Sequence, residues 1–145
     1  MSDRDNHPKL LIPALAPFYA IVEHLSYPIV RVTAGLMLLP HGWPKLFGGV
    51  ERFAEGLERR GFEPALPFAY LVALLETGGG ILVAIGLLTR PIAAAIAIQM
   101  AIITFGVHWF DGRHELPLMW GLIMFAIALR GGGPYSLDRK LGREI

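Results

Sequence analysis

Glu76 is the only charged residue in a largely apolar stretch that runs from residue 66 to residue 88. A carboxylate near cations and imidazoles can take up a proton, hydrogen-bond a ligand's carbonyl or hydroxyl group, or fix how helices pack. Four further polar side chains stand inside or beside apolar stretches: Arg31, His41, Lys45 and His108. We take these five residues as the candidate lining of a binding pocket, and the sequence assigns a catalytic role to none of them.

The composition is typical of a membrane protein. The chain has 145 residues, of which 54% are hydrophobic and only 17% are charged, and its mean hydropathy is +0.50. Soluble domains of this size rarely carry so little polar surface. The formal net charge of +1 argues against nucleic acid as the main partner, and the lack of cysteine excludes disulfides and thiolate metal sites. We therefore expect one domain in contact with the lipid bilayer.

Four stretches are candidates to cross a hydrocarbon core about 30 Å thick. Residues 91–110 contain no charged side chain apart from a histidine near their end, and residues 66–88 contain only Glu76. Residues 114–130 form a short stretch and residues 20–40 a more polar one. We count both as spans because an even number of crossings fits the charge pattern. The sequence thus predicts an all-α four-helix transmembrane bundle.

The flanking segments complete this domain organisation. Residues 1–19 form a cytoplasmic or interfacial lead, residues 20–130 the membrane domain, and residues 131–145 a tail in which Ser136 is able to cap a short helix. The apolar run before Ala14 is too short for a signal peptide, so we expect the N-terminus to be retained. The side that holds both termini carries seven of the lysines and arginines outside the spans, and the other side carries five. This bias predicts that both termini are cytoplasmic.

An amphipathic helix is predicted between the first two spans. Val50, Phe53, Ala54 and Leu57 recur at helical spacing, with charged residues between them, before a stop at Gly61. This helix is either a connector on the outer surface or a lid over the outer mouth of the bundle. In the second span, a stripe of small residues predicts close approach of a neighbouring helix: Ala73, Thr77, Gly80 and Ala84.

Arg31 and Glu76 are predicted to lie at one depth. Each stands ten residues from the outer end of its span, which corresponds to about 15 Å at 1.5 Å per residue. We therefore predict a buried Arg31–Glu76 ion pair, which either fixes helix register or forms the polar floor of a cavity open to the outside. Gln99 is expected to face another subunit, because nine residues of regular helix turn it about 180° from His108.

The other polar and aromatic residues at the outer ends of the spans are expected around this cavity. They are His41, Lys45, His108 and His114, with Trp43 and Trp109 adjacent. No two histidines have the i, i+3 or i, i+4 spacing typical of metal sites on a helix, so we expect no metal. A haem between His41 and His108 on facing helices is an alternative that we rank below a small-molecule pocket.

The sequence resembles the DoxX family of small inner-membrane proteins of bacteria and archaea. The resemblance rests on "RVTAGLMLLPHGWPKLFGG", "LETGGGILVAIGLLTRPIAA", "HWF" and "GGGPYSLDR", which together extend from about residue 29 to residue 139. It implies a four-helix protein of the inner membrane and a family pattern at Arg31, Gly35, His41, Gly42, Lys45, Glu76, Gly79, Gly80, Gly86 and Asp138. The chain departs from the family in its long N-terminal lead.

The resemblance also implies a function, because the family takes its name from a subunit associated with quinone-linked oxidation. We expect a membrane subunit of such a redox system, which has no flavin, iron–sulfur or nucleotide motif and therefore needs a partner protein for electron transfer. A partner subunit or a homo-oligomer is expected. A quinone or a similar small molecule would bind in the outer half of the bundle. The alternative is a non-catalytic scaffold that docks a partner complex; a small-molecule carrier is a weaker third reading, because four spans without repeats fit it poorly.

Overall fold

The computed structural model describes residues 10–108 and 112–142, and every regular element within them is helical. The prediction of an all-α protein is confirmed. The helices are α1 (Ala16–Leu36), α2 (Leu39–Phe47), α3 (Val50–Glu58), α4 (Ala65–Ile85), α5 (Thr89–His108), α6 (Glu115–Arg130) and α7 (Leu137–Leu141). A 3-10 turn at Pro13–Leu15 precedes α1. Two of the long helices contain π segments, at Leu75–Gly79 in α4 and at Ile103–His108 in α5.

The helices α4 and α5 are long and apolar enough to cross a membrane, with 21 and 20 residues. In α1 the hydropathy is lowered by Glu23, His24 and Arg31, and α6 has only 16 residues. The number of four spans therefore stays a prediction. The two strongest sequence stretches nevertheless correspond to the two strongest helices, since 66–88 overlaps α4 and 91–110 overlaps α5.

The first predicted span and the first long helix of the structure end at different residues. We predicted residues 20–40, but α1 ends at Leu36, and α2 continues along α4 as far as Phe47. A Cβ atom on Gly42 would lie 2.5 Å from Thr77 Oγ1, and one on Gly35 would meet the Gly80 carbonyl. Both helices thus lie against the small-residue stripe of α4, as the stripe predicts. By contrast, no residue between 16 and 26 is buried.

The amphipathic helix predicted between the first two spans is α3. Val50, Ala54 and Leu57 are buried against Ala69 of α4, and Gly61 follows the helix with a positive φ of 80°. Burial of this apolar face explains the helical spacing of the sequence. In this structure α3 is a connector packed on the start of α4.

The principal core lies between α5 and α6 and extends to α4. Ile96, Met124 and Ile127 are fully buried there, and Gly121 lets α6 approach Met100 closely. The tight turn between α4 and α5 relies on Gly86 and Leu88, both in the left-handed region. This packing places α2, α4, α5 and the start of α6 around one cavity.

Candidate functional site

A cavity of about 690 Å³ opens between α2, α4, α5 and α6. Its apolar wall consists of Leu38, Met100, Ile103, Leu116, Pro117, Met119 and Trp120, and its polar wall of His41, Lys45, Glu76, His108, Arg113 and Glu115, with Gly112 at the edge. Four of the five predicted pocket residues therefore line the same cavity, and Arg31 does not. Mostly apolar walls with a few converging polar groups are the usual form of a small-molecule site.

Glu76 is the centre of the polar wall. Its side chain is buried, and its two oxygens accept hydrogen bonds from Lys45 Nζ at 2.7 and 2.6 Å. One of these oxygens also accepts from Gln99 Nε2 at 2.9 Å. A buried carboxylate needs such a cation and such donors to offset its lost hydration.

Two local features position this pair. Glu76 lies in the π segment of α4, where i→i+5 hydrogen bonding alters the direction of the side chains relative to a regular helix. Gly42 allows α2 to contact α4 directly, because a Cβ atom there would lie 2.7 Å from that of Glu76. Lys45 then follows Gly42 by about one helical turn and reaches the carboxylate. It also lies 4.9 Å from the centre of the Phe53 ring.

The predicted Arg31–Glu76 ion pair is wrong. Arg31 donates hydrogen bonds to the carbonyl oxygens of Gly132, at 2.7 Å, and Tyr135, at 3.2 Å. Its guanidinium also lies where a Cβ atom of Gly86 would be, and Gly86 is ten residues, or about 15 Å, from Glu76 along α4. The depth argument fails because α1 already ends at Leu36 and α2 continues along α4 beyond His41, so that Arg31 lies beside the turn between α4 and α5.

The expected orientation of Gln99 is also wrong, because it is buried in this chain and bound to Glu76. His108 nevertheless lines the cavity. The rotation between the two was calculated for a regular α-helix, whereas residues 103–108 form a π segment that adds residues to the turn. No feature of the sequence signals this segment, so the partnership between Gln99 and Glu76 was missed.

His41 lines the cavity, and one of its ring nitrogens contacts the backbone. Its Nδ1 lies 3.2 Å from the Met37 carbonyl oxygen, which can only accept a hydrogen bond. The proton therefore sits on Nδ1 when the ring is neutral, and Nε2 is an acceptor. His41 thus offers a hydrogen-bond acceptor on the same wall on which Lys45 offers a donor.

The remaining predicted neighbours are distributed differently. Trp43 is 56% exposed and contacts the Phe47 ring at a tilted angle, whereas Trp109 lies outside the described residues. His114 precedes α6 and is not part of the cavity wall. In the described ranges, no group of three histidines and carboxylates is arranged to hold a metal ion.

Asp138 organises the opposite end of the bundle. Its carboxylate accepts hydrogen bonds from the Leu88 N–H, the Thr89 N–H and the Thr89 hydroxyl. Burial raises the pKa of Asp138, but these hydrogen bonds and the nearby Arg31 charge lower it, and the net result is a pKa below the usual value. Ser136 caps α7 by accepting from the Arg139 N–H, as predicted.

Comparisons with known proteins agree with this picture. The DoxX family profile matches residues 26–109. Inner membrane protein YqjF of Escherichia coli (strain K12) is 30% identical over 131 residues, which cover 85% of this chain and 97% of that protein. No solved structure matches the chain significantly.

Two further relatives differ in what their names say. "Uncharacterized membrane protein Rv3486" of Mycobacterium tuberculosis is 32% identical and covers 89% of this chain and 91% of its own length. "Putative oxidoreductase CatD" of Bacillus subtilis (strain 168) is 32% identical over 113 residues, or 76% of this chain and 82% of its own. The profile match spans more than half of the chain, and the relatives align over most of it. The chain is therefore a helical membrane protein that belongs to the DoxX family.

Proposed function

We propose that the chain is a membrane subunit of a quinone-linked redox system and binds a quinone head group in the cavity beside Glu76. The observation that carries this proposal is the combination of a 690 Å³ cavity with largely apolar walls and one polar wall around Lys45, Glu76 and His41. A quinone combines apolar and polar surface in the same way, because its ring is flat and apolar and its two oxygens are polar. The name of CatD adds support for redox chemistry.

The polar wall offers complementary hydrogen-bonding groups for the two redox forms. Lys45 Nζ is a donor for a quinone carbonyl oxygen, and His41 Nε2 is an acceptor for a hydroquinone hydroxyl group. Oxidation of a hydroquinone releases two electrons and two protons. In this proposal His41 takes one proton, water at the cavity mouth takes the second, and the two electrons reduce a redox cofactor carried by a partner protein. Glu76 holds Lys45 in position.

Binding can be measured through Trp120, which lies on the cavity wall. We would reconstitute the purified protein in lipid nanodiscs and titrate it with a short-tailed quinone, following tryptophan fluorescence. Saturable quenching is expected, and Trp120→Phe should remove most of it. Glu76→Gln and His41→Ala should each weaken binding about tenfold, the worth of one lost hydrogen bond.

The matched control is Glu58→Gln, which neutralises an exposed carboxylate on α3, away from this cavity. It should bind the quinone like the unsubstituted protein. The proposal fails if quenching does not saturate, or if the folded Glu76→Gln variant binds as tightly as the control.

One observation favours a second function, that of a non-catalytic scaffold. Both oxygens of Glu76 are already hydrogen-bonded within the chain, so the carboxylate itself needs no ligand as a hydrogen-bond partner. In that case Glu76→Gln should lower stability, while quinone-dependent activity of the membranes persists whenever the variant accumulates. Measuring stability and quinone-dependent activity of the same variant therefore separates the two functions.

A further inference from the structure

A second cavity, of about 630 Å³, lies at the end of the bundle away from Glu76. Its lining residues are His24, Pro134, Tyr135, Ser136, Arg139 and Lys140. Three of these six side chains are basic and none is a carboxylate. The wall is formed by α1 on one side and by the turn leading into α7 on the other.

Arg139 and Lys140 are the uncommitted cations at this end of the described structure. Arg90 donates to the Leu129 carbonyl oxygen at 2.8 Å, and Arg130 lies 4.2 Å from the centre of the Tyr27 ring. Arg31 is occupied by Gly132 and Tyr135. Within residues 10–108 and 112–142, the side chains of Arg139 and Lys140 have no hydrogen-bond or ion-pair partner. They are therefore free to bind an anion.

The backbone that carries these two cations is fixed by buried contacts. The Asp138 N–H donates to the Gly86 carbonyl oxygen at 2.8 Å, while its carboxylate holds the start of α5. The buried Ser136 hydroxyl donates to the Gly133 carbonyl oxygen at 2.8 Å. The segment that carries the cations of the basic pocket is thus anchored to the turn between α4 and α5 by hydrogen bonds.

The pocket is flanked by apolar side chains that point outward. Leu137 and Leu141 stand one turn apart on α7 and are exposed, as are Ile21 and Leu25 on α1. Exposed leucines beside lysine and arginine on a short helix are typical of a helix that lies at the membrane surface. Basic pockets at the membrane surface bind phosphate-containing head groups, and the adjacent apolar surface suits acyl chains.

We propose that this pocket binds the head group of an anionic phospholipid at the inner surface of the membrane. The phosphate lies between His24, Arg139 and Lys140, and the acyl chains lie along the leucines of α7. A free phosphate ion would have no use for the apolar flank, which is why the observations favour a lipid. This site is independent of the quinone proposal.

The probes for the test are phosphatidylglycerol, phosphatidylcholine and inorganic phosphate, each added to the purified full-length protein in detergent. Native mass spectrometry counts the bound lipid, and thermal unfolding reports stabilisation. We expect one retained phosphatidylglycerol and a raised melting temperature, with little effect of phosphatidylcholine. Arg139→Gln/Lys140→Gln should weaken binding about 30-fold, since each cation near an anionic lipid contributes a factor of about five.

The matched control is Arg59→Gln/Arg60→Gln. It also removes two adjacent exposed cations, but these directly follow the C-terminal end of α3, away from the basic pocket. It should retain the lipid, and circular dichroism should show that both double variants fold. The proposal is overturned if phosphatidylcholine binds equally well or if the control loses as much lipid. It is also overturned if inorganic phosphate at the same concentration gives the whole stabilisation, which would indicate a site for free anions.

Discussion

Lys45 and Glu76 are 31 residues apart in the sequence, yet Lys45 Nζ lies within 2.7 Å of both oxygens of the Glu76 carboxylate. The carboxylate is fully buried, and the lysine side chain is 26% exposed at the cavity wall. This pair joins α2 to α4 and forms the polar end of the proposed binding site. Its energetic role can be tested apart from any ligand.

Lys45→Met should destabilise the protein by about 3–5 kcal/mol, because it leaves a buried carboxylate without its cation. Adding Glu76→Gln should restore part of that loss, since the amide needs no counter-charge. Thermal unfolding in detergent of the two single variants and the double variant measures the coupling. Strict additivity of the two effects would show that the pair is not energetically linked.

Arg31→Met should destabilise the segment of residues 132–141 and should not affect the surroundings of Glu76. The guanidinium holds the carbonyl oxygens of Gly132 and Tyr135, and loss of charged hydrogen bonds costs about 1.5–3 kcal/mol each. Hydrogen exchange followed by mass spectrometry should accelerate in residues 132–141 and stay unchanged around Glu76. Arg59→Met, at an exposed position, is the control. Faster exchange around Glu76 instead would contradict this assignment.

Gly42→Ala should destabilise the contact between α2 and α4, and Gly78→Ala should not. A Cβ atom at Gly42 would lie 2.5 Å from Thr77 Oγ1, whereas one at Gly78 would meet nothing within 4 Å. Overpacking at such a contact costs about 1–3 kcal/mol. Comparing the thermal unfolding of the two variants tests this contact, and equal stability of the two would show that α2 does not pack against α4 as described.

Asp138 should contribute to stability near neutral pH but not in acid. Its pKa is lowered in the folded protein, so the contribution is complete above the ordinary aspartate pKa and is lost as the pH falls through the lower, folded value. Asp138→Asn should therefore be less stable than the unsubstituted protein at pH 7 and should lose less stability on acidification. Melting temperatures from pH 7 downward check this. Parallel curves for the two proteins would refute it.

Topology can be tested by cysteine labelling, because the chain has no cysteine of its own. If there are four spans and both termini are cytoplasmic, Arg60→Cys faces the outside and Lys140→Cys the inside. A membrane-impermeant maleimide should label only the first in intact cells and both after lysis. Labelling of both in intact cells, or of Lys140→Cys alone, would require a different number of spans or the opposite orientation.

The sequence determined the helical fold, the two strongest apolar helices, the amphipathic helix α3 and the cap at Ser136. These features depend on local composition and on the spacing of 3.6 residues per turn. Both can be recognised in the sequence without knowledge of the tertiary contacts. His41, Lys45, Glu76 and His108 could be grouped because polar residues beside apolar helices collect where they avoid lipid.

Only the tertiary structure decided which of those polar residues meet. Depth counted along a span requires a known end, and the segment 39–47, with two prolines, a histidine and a lysine, does not look apolar enough to continue a span. The contacts of Gly35 with Gly80 and of Gly42 with Thr77 fix the register of the helices, so Lys45 and not Arg31 reaches Glu76. The π segment at Ile103–His108 then changes the rotation between Gln99 and His108 from the value that a regular helix gives. Register and helix irregularity arise from side-chain packing between distant segments, which is why the tertiary structure was needed to define the site.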